Sequence, residues 1–244
     1  MKENPYDNPR FFTQYSRMDR SRKGLAGAGE WPTLKMMLPA LAGKRVLDLG
    51  CGYGWHCRYA LEQGAAEAIG VDLSQRMLEE AARRTTSERC RYLRMAMEDI
   101  DFPRESFDVA ISSLALHYVA DYAGVLRRVA ACLKSGGDFV FSVEHPVFTA
   151  YGNQDWYRDS AGQALHWPVD RYFLEGERQA VFLGERMTKY HRTLTGYVKP
   201  LMEAGFALTG LAEPQPTEQM LSEVAGMADE LRRPMMLILA AKRL

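Results

Sequence analysis

Three glycines and two acids are the residues whose types and spacing best suit chemistry. Gly50, Cys51, Gly52, Tyr53 and Gly54 spell G-x-G-x-G directly after an apolar run, 45–50, and before a stretch of helical period. Glycines at such a place let the chain turn tightly and bring backbone N–H groups close to a ligand at a helix start. Asp48 stands two residues before Gly50, and Asp72 closes the next apolar run, 22 residues after Gly50. A carboxylate there can accept two hydrogen bonds from the diol of a ribose, and its charge strengthens both. The spacing also excludes rivals. A nicotinamide fingerprint, G-x-G-x-x-G, needs its third glycine where helix packs on strand. That position is Trp55, whose indole cannot fit. No Gly-Lys-Ser or Gly-Lys-Thr follows, which excludes a P-loop. Cys51, Cys57, Cys90 and Cys132 contain no CxxC pair, so no metal is expected.

Such residues need a sheet to hold them. Apolar runs at 45–50, 68–73, 91–97 and 107–113 alternate with helical stretches at 55–64, after Ser74 as N-cap, and at about 121–133. A glycine turn and a fifth strand follow, up to Glu144. Repeated βα units imply a parallel sheet with helices on both faces, and ligands collect at the carboxyl ends of its strands. After Pro146 the rhythm stops. Residues 147–190 hold Trp156, Trp167, Tyr172 and Phe173 among other aromatics, with neither a strand nor a helix period. It resumes with a helix over 193–204 and two strands, 207–214 and 235–243, separated by a helix near 218–231. The expected fold is α/β: a doubly wound, seven-stranded, mostly parallel sheet with an aromatic lid inserted after strand five. Residues 1–30 form an N-terminal segment, 31–146 and 191–244 the core, and 147–190 the lid.

Lys plus Arg and Asp plus Glu are 31 each, so the formal net charge is zero. A neutral chain has no overall field to draw in nucleic acid or an anionic membrane. The polar start, MKENPYDNPRFF, has no apolar core of the signal-peptide kind. Cysteines that staple nothing suit a reducing compartment, so a cytoplasmic monomer or homodimer is expected.

VLDLGCGYGWHCRYALEQGAAEAIGVDLSQRMLEEA resembles motifs I and II of the class I S-adenosylmethionine (AdoMet)-dependent methyltransferases, within the small-molecule branch that includes ubiquinone- and menaquinone-biosynthesis enzymes. FDVAISSLALHYVADYAGVLRRVAACLKSGGDFVFSVEHP is similar to motifs IV to VI. The likeness covers about 30–145 well and 191–244 loosely. It implies a Rossmann-like core, AdoMet as cofactor with S-adenosylhomocysteine as product, and methyl transfer to an O, N or C atom of a small molecule. It also implies backbone contacts from Gly50, Cys51 and Gly52, and Asp48 orienting the loop and the cofactor ammonium. Asp72 would take the ribose, with Leu73 and Met77 on the adenine. Many relatives carry an acid where this chain has Ala96, so the adenine edge falls to the Met97 N–H and nearby Glu98. Ser113 would meet the methionine part, with Leu114 and His117 just beyond. Tyr15 or Arg22 would meet the cofactor carboxylate, for which a guanidinium is suited.

Methyl transfer by such a cofactor is an in-line displacement in which orientation alone can supply roughly 7–11 kcal/mol. A base helps if the acceptor is a hydroxyl or a protonated amine. His145, in VEHP at the carboxyl edge of the sheet, is the expected base, with Glu144, Tyr190 and His191 next. The lid aromatics suggest an apolar or aromatic acceptor. Two other functions share this frame: a nucleic-acid methyltransferase, disfavoured by zero net charge and by VEHP in place of a Pro-Pro-aromatic motif, and a catalytically silent AdoMet-binding partner subunit.

Overall fold

The computed structural model describes residues 4–244; the first three residues of the expected N-terminal segment lie outside the described residues. In chain order come α1 (Pro9–Ser16), α2 (Asp19–Arg22), α3 (Trp31–Met37), β1 (Arg45–Leu49), α4 (Trp55–Glu62), β2 (Glu67–Asp72), α5 (Gln75–Arg83), β3 (Cys90–Arg94), β4 (Phe107–Ser113), α6 (Tyr122–Cys132) and β5 (Leu133–Glu144). Then follow α7 (Pro146–Thr149), β6 (Tyr157–Arg158), β7 (Ala164–His166), β8 (Gly176–Phe182), β9 (Glu185–His191), α8 (Leu194–Glu203), β10 (Phe206–Ala212), α9 (Glu218–Glu223) and β11 (Met236–Arg243).

Seven strands, the number the sequence leads one to expect, form one sheet in the order β10-β11-β5-β4-β1-β2-β3. β1 to β5 are parallel, and β11 runs antiparallel between β5 and β10. Alternation along β1 shows why both faces are covered. Leu47 and Leu49 join Val125, Leu126 and Val129 of α6 and Tyr197 and Leu201 of α8 in one cluster. Val46, out of phase with them, joins Cys57, Ala60 and Leu61 of α4 on the opposite face. A strand buried on both sides must be apolar at successive positions, which is how β1 reads. Side-chain caps fix the helix starts: Ser74 Oγ accepts from the Met77 N–H at 3.2 Å, and Asp121 Oδ1 from the Gly124 N–H at 2.8 Å. Strand order reverses between β1 and β4, and the crevice at that switch point opens at their carboxyl ends.

Residues 147–190, which show no period in sequence, hold two antiparallel ribbons, β6–β7 and β8–β9. Leu183 (φ 51°) and Gly184 (φ 76°) make the two-residue turn between β8 and β9. β9 does alternate, but its inward residues are Met187, Lys189 and His191. Two polar residues on the buried face hide the strand period from an apolar count. The expected helix over 218–231 is corrected as well: α9 ends at Glu223, and Gly226 in the left-handed region (φ 79°) separates it from a short 3₁₀ turn, Met227–Arg232. Among the described residues no helix is long and apolar enough to cross a membrane, no acid, histidine and cysteine cluster could hold a metal, and the four cysteines are free.

Candidate active site

A cavity of about 830 Å³ lies over the carboxyl ends of β1, β2 and β4, near the top of the range of roughly 300–1,000 Å³ for small-molecule sites. Its first half is built largely from backbone. The Gly50 and Cys51 N–H groups both donate to the Val71 carbonyl, at 2.9 and 3.0 Å, tying the glycine loop to β2. Asp72 Oδ2 accepts from the Gly52 N–H at 2.9 Å and Oδ1 from the Ser74 N–H at 2.8 Å. Each carboxylate oxygen keeps a lone pair for a ligand hydroxyl. Burial raises the Asp72 pKa, and the backbone donors oppose that rise. Gly50 has φ 70°, and a Cβ there would sit 2.4 Å from that of Ala115. A Cβ at Gly52 would meet nothing within 4 Å, so this part of the loop stays open to a ligand. Leu73, Met77, Met97 and Glu98 line the wall beside Asp72, and Ser113 and Tyr15 line the other side.

Four expected site residues require correction. Arg22 is exposed and absent from the lining; Arg20 takes its place. Two residues along a helix turn the side chain by about 200°, so only one of the pair can face inward. Arg20 Nη2 is 2.6 Å from Glu30 Oε1, which also accepts from the Ser113 hydroxyl at 3.0 Å. Glu30 is buried, and its other oxygen has no partner among the described residues. A buried carboxylate oxygen without a donor costs energy unless a ligand supplies one. Burial raises the Glu30 pKa, but Arg20, a backbone hydrogen bond and the Ser113 hydroxyl together outweigh it and the carboxyl ends below its usual range. Asp48, expected to meet a ligand ammonium, is fully buried under the loop and absent from the lining; its Oδ2 accepts from Cys57 Sγ at 3.5 Å. Glu30 and Arg20 therefore bring a carboxylate and a guanidinium to the cavity wall, which neither Asp48 nor Arg22 lines. No spacing in the sequence marks Glu30.

The second half is built from side chains distant in sequence. Lys189 Nζ lies 2.6 Å from Glu144 Oε1 and donates to Gln154 Oε1 at 2.8 Å, while Gln154 Nε2 donates to Glu144 Oε2 at 2.6 Å. Tyr6, His117, Tyr118 and Phe182 complete this end. His117 Nδ1 accepts from the Glu144 N–H at 3.3 Å, and burial lowers its pKa to about 4.

A family model described as a methyltransferase domain matches residues 47–141. A chain from Listeria monocytogenes, whose crystal structure is assigned to the AdoMet-dependent methyltransferases, is 52% identical with a TM-score of 0.83, over 88% of this chain and 98% of that one. The AdoMet-dependent methyltransferase of Mesorhizobium loti is 43% identical with a TM-score of 0.84, over 90% of this chain and all (100%) of that one. The chain belongs to the class I AdoMet-dependent methyltransferases. The methyltransferase is also 34% identical over 115 residues to the aklanonic acid methyltransferase of a Streptomyces species, a match that covers 45% of this chain and only 51% of that one.

Neither expected catalytic histidine lines the methyltransferase's cavity. His145 caps α7: its Nδ1 accepts from the Val147 N–H at 3.0 Å, so the ring proton sits on Nε2, 2.8 Å from Glu213 Oε1. Burial lowers its pKa. His191 pins β9 to the segment before it, with Nε2 2.9 Å from the Tyr172 carbonyl and Nδ1 2.7 Å from Thr149 Oγ1. His145 is drawn out of the lining where the chain turns into α7, and His191, on the same inward side of β9 as Met187 and Lys189, is held at the strand's end by its Thr149 and Tyr172 partners. Glu144 and Tyr190, also weighed as bases, do line the cavity. Four aromatics of the lid, Trp156, Trp167, Tyr172 and Phe173, lie outside its lining. Trp167 stacks on Phe148 with centroids 4.9 Å apart, Trp156 meets Trp167 edge-on, and Phe173 is 87% exposed. Phe182, Met187 and Lys189 of the β8–β9 ribbon face the cavity instead.

Proposed function

We propose that this methyltransferase binds AdoMet with its ribose on Asp72, its adenine between Leu73, Met77 and Met97, and its methionine end among Gly50, Gly52, Tyr15, Arg20 and Glu30, and methylates a small acceptor held on the side of Tyr6, Tyr118 and Lys189. The single observation that carries this reading is one continuous cavity with the glycine loop and Asp72 at one end and a side-chain-lined chamber at the other. The bound cofactor would supply a methyl group made electrophilic by its sulfonium. The chain's own residues grip, orient and exclude water: Asp72 accepts from hydroxyls, Arg20 faces a carboxylate, and Glu30 receives an ammonium. The aromatic and methionine lining of the second chamber suits a flat or apolar acceptor, and the aklanonic acid methyltransferase, matched over half its length, is a relative whose acceptor is a small organic acid. Each chain holds a whole site, as a monomer or homodimer, and its free thiols fit the cytoplasm.

Calorimetry with AdoMet tests the binding half. Asp72→Ala should weaken affinity by roughly 1.5–3 kcal/mol, the range for hydrogen bonds to a charged group. Unchanged affinity removes the ribose role. Binding by the native protein without labelled methyl reaching any phenolic, carboxylic or amine acceptor would favour a silent AdoMet-binding subunit.

A further inference from the structure

The acceptor chamber is rich in donors and poor in bases. Glu144, a carboxylate of its lining, has both oxygens engaged, Oε1 by Lys189 and Oε2 by Gln154. Burial raises its pKa, but its polar neighbours, Lys189 and Gln154 among them, together outweigh that, and the ionised carboxylate is weakly basic. His117 spends Nδ1 on a backbone N–H, so its Nε2 carries the proton and can only donate. The hydroxyls of Tyr6 and Tyr118 interact, and burial raises the pKa of both, so neither becomes a phenolate at working pH. Glu177, the remaining carboxylate at this end, is exposed at the mouth and accepts from Gln179 Nε2 at 2.7 Å. Lys189 stands out. Its ammonium is buried, with the rings of Tyr118 and Phe182 5.9 and 5.7 Å away. Glu144 and Gln154 take two of its three protons. Among the described residues these are its two acceptors, and the ammonium lines the chamber, toward which a third N–H can donate.

We infer that the acceptor enters as an anion, an ionised acidic hydroxyl or carboxylate, whose oxygen is received by Lys189 with donor help from His117. The inference rests on the methyltransferase reading above. Proton accounting favours it: an anionic oxygen forms its bond to the methyl carbon as the carbon–sulfur bond breaks and that electron pair stays on sulfur. A cation and an anion become two neutral groups, and no protein base has to accept a proton. A neutral alcohol or protonated amine would leave a proton with nowhere to go in this chamber.

The test uses para-nitrophenol, whose phenolate absorbs in the visible, titrated against pH on the full chain saturated with S-adenosylhomocysteine so that no turnover occurs. The bound probe should ionise at least about one pH unit lower than the free probe, which is a tenfold preference for the anion. The double variant Lys189→Met/Glu144→Gln, which leaves neither charge unpaired, should lose that preference while keeping its affinity for S-adenosylhomocysteine. A bound probe that ionises at or above its free pH, failure of the phenolate to bind, or an anion preference that survives in the variant overturns the inference. Should S-adenosylhomocysteine itself fail to bind, the methyltransferase reading falls first, and the calorimetric arm shows which of the two has gone.

Discussion

The two ends of the cavity are made by different means. The end proposed for the cofactor is anchored on one short stretch, from Gly50 to Ser74, whose geometry is largely backbone: a glycine loop tied to β2 and a carboxylate held by two N–H groups. The acceptor end collects side chains from the N-terminal segment, the turn after β4, the end of β5 and the β8–β9 ribbon. Backbone geometry tolerates few residue types, whereas a side-chain chamber can be relined at each position while the sheet stays the same. The cofactor end should thus be brittle toward substitution at its glycines, and the acceptor end graded.

The sharpest way to break that contrast is Gly50→Val. A branched side chain would need a left-handed φ and would strike Ala115. Strain and overpacking together should cost about 2–5 kcal/mol in folding or in AdoMet affinity; thermal unfolding and calorimetry that both match the native protein would show the loop is not brittle.

Asp48 gives the next effect. Burial raises its carboxyl pKa to about 7. Between the unfolded value near 4 and this folded value, the native state holds a proton the unfolded chain has released. Stability therefore falls as pH rises through about 4 to 7 and stays low above it. Asp48→Asn removes the buried charge and should stabilise the protein by roughly 2–4 kcal/mol above pH 7 and by little near pH 4. Parallel denaturation profiles for the two proteins would mean the carboxylate is stabilised under the loop after all.

The smallest effect tests the acceptor side. His191→Phe leaves the Tyr172 carbonyl without its ring partner and the Thr149 hydroxyl with only its longer bonds to the His145 and Pro146 carbonyls, which should cost about 1–3 kcal/mol of stability. The pH profile of methyl transfer should keep its shape, since the ring lies outside the cavity. A lost inflection in that profile would return His191 to the chemistry.

The same contrast explains what could be read in advance. The sheet was legible because strands buried on both faces must be apolar and the helices between them must carry an apolar stripe. The glycine loop and Asp72 were legible because their function depends on spacing along one βα unit. Arg20 in place of Arg22 turned on helical phase in a helix of four residues, too short for a period to show. The β8–β9 ribbon was hidden because Lys189 and His191 face inward, and a polar residue on a buried face reads as a break in the pattern.

Sequence alone determined the fold class, the family and the position of the glycine loop, all properties of local pattern in which neighbours in the chain are neighbours in space. Only the tertiary structure decided which polar residues share the acceptor chamber. It left His145 and His191 outside the cavity lining and brought Glu30, Glu144, His117 and Lys189 to it. Whether a histidine can act as a base depends on what each ring nitrogen already holds, and those partners come from segments whose meeting is fixed by the packing of the whole chain.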